Sequence, residues 1–285
     1  MPPHSKTALV LAGGGSLGAV QAGMLQALCA AGASFDFVVG ASVGALNAGF
    51  FAADPTLAGA RRLAALWRAV TRADVMPATL ATALNVILRR GYVFDNRALR
   101  ALIQRHIPYA RIEDAALALH IVATDILTGE EVVLSRGPTL EAILASAAVP
   151  GVFPSVRIDG RDLADGGIAN NTPISTAIRL GASHVVVLPT GFACALRQPP
   201  KGAAAQAMHA ISQLIARQLV NDIDRYAAQA RICVAPTLCP LDVSPYDYSA
   251  CGRLVDDAEA RTGAWIAAGG LGSTGAPDAL REHRH

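Results

Sequence analysis

Ser42 lies between two glycines, in Gly40-Ala41-Ser42-Val43-Gly44, with an apolar run before it and a helix-forming run after it. A G-x-S-x-G at a strand-to-helix junction is the pattern of a nucleophile elbow, a strained turn whose small neighbours leave the serine room. The helix that follows aims backbone N–H groups and its positive dipole end at the hydroxyl. The chemistry would be acyl transfer. The competing reading is structural: Gly40 and Gly44 would only let a helix pack closely on a sheet.

A second glycine turn, Gly13-Gly14-Gly15-Ser16-Leu17-Gly18, also follows a strand and opens a helix. As a G-x-G-x-x-G it suits a dinucleotide, which asks for an acidic residue about twenty positions on. Asp36 falls near that distance, but it opens the second strand and does not close it. The other reading is an oxyanion hole, in which successive glycine N–H groups hold the charge that acyl transfer puts on a carbonyl oxygen.

A serine nucleophile needs a base. His120 and His184 open apolar strands, His106 and His209 sit in helical stretches, and His4, His283 and His285 lie at the termini. None has a loop-tip setting suited to a triad. Asp165, in Asp162-Leu163-Ala164-Asp165-Gly166-Gly167, is placed in a glycine-flanked turn ahead of Asn170-Asn171-Thr172-Pro173. It either caps that turn or takes the serine proton directly.

These three pieces, in this order, resemble the patatin-like phospholipases, as does Ala145-Ser146-Ala147-Ala148-Val149-Pro150-Gly151-Val152-Phe153-Pro154. The resemblance runs from Thr7 to Gly191. It implies a three-layer αβα fold with a mainly parallel central sheet and a Ser–Asp dyad without a catalytic histidine. Carried across, Ser42 is the nucleophile and Asp165 the base. Gly13, Gly14 and Gly15 line the oxyanion hole, with Gly18, Gly40, Gly44, Gly166 and Gly167 as supporting motif positions. The implied substrate is a lipid ester, with no metal and no cofactor. Many family members carry a basic residue where this chain has Leu17, which weakens that position as a phosphate holder. An acyltransferase on the same scaffold, a nucleotide-binding protein and a non-catalytic lipid binder are the rivals, and the intact Ser42 and Asp165 argue against the last.

The elements that must position these groups follow a βαβα order. Thr7–Ala12 and Phe35–Val39 read as strands, Ala19–Ala31 and Val43–Ala53 as helices, so the sheet is parallel and helix-covered. A helical region, Thr56–Ile107, comes next. Within it Met76–Leu88 and Asn96–His106 read as core helices, in preference to a cap that admits acyl chains or touches a bilayer. His120–Thr124 is a strand with a hairpin return through T-G-E-E-V-V-L, Leu140–Ala148 a short helix and Val185–Leu188 a buried strand. Ala203–Ala230 and Asp256–Ala268 read as closing helices, and Ile232–Ala235 as a last strand. Residues 1–285 therefore read as one domain, with 7–191 the catalytic region and Pro199–Gly202 the best internal boundary.

With 285 residues, 52% hydrophobic and 16% charged, the chain can bury a large core. A net charge of +2 from scattered basic residues excludes a nucleic-acid partner. Cys29, Cys194, Cys233, Cys239 and Cys251 show neither C-x-x-C nor metal-ligand spacing and read as buried thiols. The N-terminal apolar run is too short for a signal sequence, so the expected compartment is the cytoplasm, with transient membrane-surface contact left open. Nothing in the sequence reports on oligomeric state.

Overall fold

The computed structural model describes residues 5–88, 90–191, 202–275 and 277. The first part of the chain runs β1 (Lys6–Leu11), α1 (Ala19–Ala30), β2 (Phe37–Ala41), α2 (Val43–Ala53), α3 (Leu57–Ala69), α4 (Arg72–Val75), α5 (Leu80–Ile87) and α6 (Arg97–His106). It continues through β3 (Ala118–Asp125), β4 (Glu131–Leu134), α7 (Thr139–Ser146), β5 (Val156–Ile158), β6 (Arg161–Asp165), α8 (Gly167–Asn170) and α9 (Ile174–Arg179). The last elements are β7 (Ala182–Leu188), α10 (Ala203–Tyr226), β8 (Arg231–Val234) and α11 (Cys251–Ala267). Cys194, His4, His283, His285 and all of Pro199–Gly202 except Gly202 lie outside the described residues.

The strands form one sheet in the order β5-β6-β3-β2-β1-β7-β8, with β4 paired to β3 beside that path. β1, β2, β3, β7 and β8 are mutually parallel, while β4 and β6 run antiparallel to β3. Parallel strands are covered on both faces, so they read as unbroken apolar runs. In β1, Leu9 and Leu11 join a core shared with α1, α2, α3, α6, α7 and α11. Ala8 and Val10 join the opposite core, built with α9 and α10. The expected three-layer arrangement is thus observed. β8 pairs with β7, so the last expected strand belongs to the same sheet.

α11 starts at Cys251, five residues ahead of the expected helix, and α10 ends at Tyr226, four short of it. Three further departures bear on the site and its surroundings. Asp165 does not sit in a free turn: it ends β6, which the D-G-G signal had hidden and which pairing with β3 stabilises. β2 starts two residues later than its apolar run and reaches Ala41, so Ser42 follows the strand directly. Asn96–His106 is a core helix, burying Leu99, Leu102 and Ile103, but the stretch through α5 is not: Leu80, Leu84, Ile87 and Leu88 are exposed. Apolar composition marks a face, and only packing decides what covers it.

Gly40 and Gly44 do allow close packing. A Cβ on Gly44 would overlap the Leu11 carbonyl, and one on Gly40 the Gly44 carbonyl. Gly263, inside α11, has nothing within 4 Å of its would-be Cβ. Gly44→Ala is therefore expected to cost ~2 kcal/mol or more through overpacking, despite alanine's better helix propensity. Gly263→Ala is expected to gain ~0.5–1 kcal/mol. Urea unfolding of the two variants beside the parent checks the opposite signs.

Candidate active site

Ser42 caps α2 with φ 55° and ψ −125°, a left-handed conformation that costs a non-glycine residue ~1–3 kcal/mol. Its N–H is held by the Ser146 hydroxyl at 2.8 Å, and that hydroxyl donates to the Val122 carbonyl at 2.5 Å. Ser146 thus ties the strained residue to β3. It lies at the end of α7, in the stretch that carried the family likeness, but a serine among alanines gives no sign of its partners.

The Ser42 hydroxyl donates to Asp165 Oδ2 at 2.6 Å. Asp165 Oδ1 accepts the Gly167 N–H at 2.8 Å, and its backbone carbonyl accepts the Thr124 hydroxyl. Gly166 is small because a Cβ there would overlap the Val122 carbonyl. Both side chains are buried, and no cation among the described residues pairs with the carboxylate. Burial pushes the Asp165 carboxyl up to about 6, while the bonds from Ser42 and Gly167 hold it down. None of His106, His120, His184 and His209 bonds to Ser42. His120 meets Ser135, His184 meets Ser5, His209 meets Gln213 and His106 stacks near Phe50.

The glycine turn sits beside Ser42 but divides its work. The Gly13 N–H is already bonded to the Asn171 carbonyl at 3.0 Å, so Gly13 is not a free oxyanion donor. Its lack of a side chain matters instead, because a Cβ would overlap Asn171 Oδ1 and crowd Ser42. The N–H groups of Gly14 and Gly15 have no acceptor among the described residues. A Cβ on Gly15, whose φ is +60°, would overlap the Pro245 carbonyl. That same carbonyl accepts the Ser16 N–H at 2.8 Å and fixes the turn. Leu17 is buried in the core. Asp36 binds the Thr7 N–H at the opposite end of the sheet from this turn, where no ribose held by the turn could reach it.

A narrow cavity of ≈ 90 Å³ opens onto Ser42. One face of α2 lines it, through Val43, Leu46, Asn47 and Phe50, which recur at helical spacing. Leu63, Trp67, Met76, Leu102, Ile143 and Phe153 add apolar wall from other elements, and Pro245, Tyr246 and Tyr248 close a further side. The Asn47 amide is internally satisfied, donating to Gly18 and Gln21 and accepting from Trp67 Nε1.

The profile of the patatin-like phospholipases matches residues 9–178. The chain belongs to that family. Patatin-like phospholipase domain-containing protein 7 of Mus musculus is 31% identical over 186 residues, 65% of this chain but 13% of that protein. An uncharacterized NTE family protein of Mycobacterium bovis is 33% identical over 183 residues, 64% of this chain and 48% of the relative. This chain therefore matches half or less of each of these relatives. Among solved structures, full-length ExoU of Pseudomonas aeruginosa, crystallised with SpcU, superposes with a TM-score of 0.50 at 16% identity. The superposition covers 95% of this chain and 53% of that one, a likeness of fold. The family region ends before Pro245, Tyr246 and Tyr248, which sequence reasoning did not connect to the site.

The raised Asp165 carboxyl sets a sign for stability. Its folded value lies above the unfolded 3.8, so the native state binds more protons between about 3.8 and about 6. Stability is full below that window and is lost as pH rises through it. Asp165→Asn removes the buried charge, so its unfolding free energy at pH 7 is expected to exceed the parent's by up to ~3 kcal/mol. The gap should close toward pH 4, as urea titrations across this range would measure.

Proposed function

We propose that the protein is a serine acyl hydrolase that cleaves fatty-acyl esters of lipids, of the phospholipase A or lysophospholipase kind. The 2.6 Å bond from the Ser42 hydroxyl to Asp165, at the mouth of an apolar cavity, carries this reading. Family membership supports it.

Asp165 Oδ2 accepts the Ser42 proton as Oγ bonds to the ester carbonyl carbon. The carbonyl oxygen becomes an oxyanion beside the unpaired N–H groups of Gly14 and Gly15, where one donor is worth ~3–4 kcal/mol in a comparable hydrolase. As the tetrahedral adduct collapses, the alcohol leaves with the proton from Asp165. A water then gives its proton to Asp165 and attacks the acyl-enzyme. The fatty acid departs and Ser42 regains its hydroxyl proton. A carboxylate is a weak base at its usual value, and burial moves Asp165 toward working pH.

The acyl chain lies along α2. From Ser42 to Phe50 the helix rises ~12 Å, which an extended chain of about ten carbons spans. Phe50 stands at the far end, backed by His106 with ring centroids 6.2 Å apart.

On a p-nitrophenyl ester, folded Ser42→Ala and Asp165→Asn are each expected to lose ~10³-fold or more in kcat/KM. Turnover surviving in Ser42→Ala would end the proposal. The parent's kcat/KM should rise about tenfold per pH unit below about 6 and level off above, because only ionised Asp165 accepts the proton. In a chain-length series, Phe50→Ala is expected to move the optimum to longer esters while leaving rates on the shortest within about threefold. An added acceptor alcohol separates hydrolysis from acyl transfer, with free fatty acid the expected main product.

A further inference from the structure

α5 is amphipathic in the wrong sense for a core helix. Leu80, Leu84 and Ile87, spaced i, i+4 and i+7, are 86%, 53% and 73% exposed, and Leu88 just beyond is 59% exposed. Among the side chains of α5 that the structure describes, the buried one is an amide: Asn85 Nδ2 donates to the Val93 carbonyl at 3.2 Å, and the Asn85 backbone carbonyl accepts the Arg90 N–H. Asn85 is anchored inward, and Leu80, Leu84 and Ile87 face outward.

The chain on either side of α5 leads to the cavity that holds Ser42. Val75 and Met76, just before it, line that cavity. After it, the Val93 and Phe94 N–H groups bond the Gly151 and Val152 carbonyls, and Val152 and Phe153 line the same cavity. The charge is one-sided as well. From Val75 to Phe94 the sequence has no Asp or Glu, and its only charged residues are Arg89 and Arg90. The Arg90 guanidinium is exposed and bonds only the Tyr92 hydroxyl among the described residues. The acids that flank this stretch in sequence are engaged locally, Asp74 with Thr71 and Asp95 with Arg97. No helix among the described residues is long and apolar enough to cross a membrane.

We propose that α5 is an interfacial docking helix. It lays Leu80, Leu84, Ile87 and Leu88 into the surface of an anionic phospholipid bilayer, with Arg90 at the headgroup level, and so sets the mouth of the Ser42 cavity against lipid. A helix with an apolar face and basic flanks lies in the interface plane, where buried apolar area and charge attraction add. This rests on the lipid-ester reading for its purpose, but the binding it states is independent of catalysis.

The test is partition of the whole chain onto vesicles of phosphatidylcholine alone and mixed with phosphatidylserine. Leu84→Asp/Ile87→Asp and Arg90→Glu are measured beside the parent, with size-exclusion chromatography and hydrolysis of a soluble short ester. The parent should bind mixed vesicles more tightly than neutral ones. The double variant should lose ~100-fold in partition, from two side chains no longer buried in lipid. Arg90→Glu should lose the preference for charged vesicles. Both variants replace exposed groups outside the catalytic cavity, so hydrolysis of the soluble ester should be unchanged.

Equal binding by parent and double variant overturns the assignment, as does absence of parent binding or indifference to phosphatidylserine. A parent dimer that becomes monomeric in the double variant, without vesicle binding, gives the face to a second copy and also overturns it. Vesicle binding without hydrolysis of any ester would leave the docking helix standing and remove the hydrolase reading.

Discussion

One edge of β3 carries two different strands end to end. Ala41, the last residue of β2, is registered against Val122, and Asp165, the last residue of β6, against Ala123. The strands approach from opposite directions, parallel and antiparallel to β3, so their C-terminal ends meet at adjacent positions. That register brings the side chain after β2 to the side chain that ends β6, although 123 residues separate them. The Ser42–Asp165 bond is thus a property of the sheet, fixed by backbone pairing and not by a flexible loop. Slipping either strand by one residue would turn its side chains to the other face.

Buried polar groups hold the elbow to this frame. Ser146 links the Ser42 N–H to Val122, on the strand that sets the register. On the glycine-turn side, Gln21 Nε2 donates to the Ala12 and Leu188 carbonyls and its Oε1 accepts from Asn47, which also binds Gly18 and Trp67. Such groups are costly to bury unless every bond is made. Here they help offset the strain at Ser42 and fix the two ends of the glycine turn, at Ala12 and Gly18. Glu131 joins Asn170, Thr176 and Arg179 to β4, past the end of the strand that carries Asp165.

Much of this was legible in the sequence, and the gaps have physical causes. β1, α1 and α2 announce themselves because unbroken apolar runs and glycine breaks are local signals. The pairing of Ser42 with Asp165 was legible through motif order, not through any local pattern. β5, α8 and α9 span three to six residues each and exist through their neighbours, so no periodicity foretells them. Gly13 looked interchangeable with Gly14 and Gly15, and only the Asn171 carbonyl distinguishes it. For α5, hydrophobic spacing was correctly helical, while its outward orientation depends on Asn85 finding Val93.

The wall contributed by Pro245, Tyr246 and Tyr248 bears on what counts as a unit here. The family match stops at residue 178, yet Pro245 braces the glycine turn through Ser16, and burial, with the Asp165 charge adding to it, raises the Tyr246 hydroxyl above its usual range. The matched region therefore holds Ser42 and Asp165, while one wall of the cavity beside Ser42 comes from a segment more than sixty residues downstream of it. The same later part of the chain supplies β7, which pairs with β1, and α11, which packs on α1, so a fragment trimmed to the match would lose strand, helix and wall together.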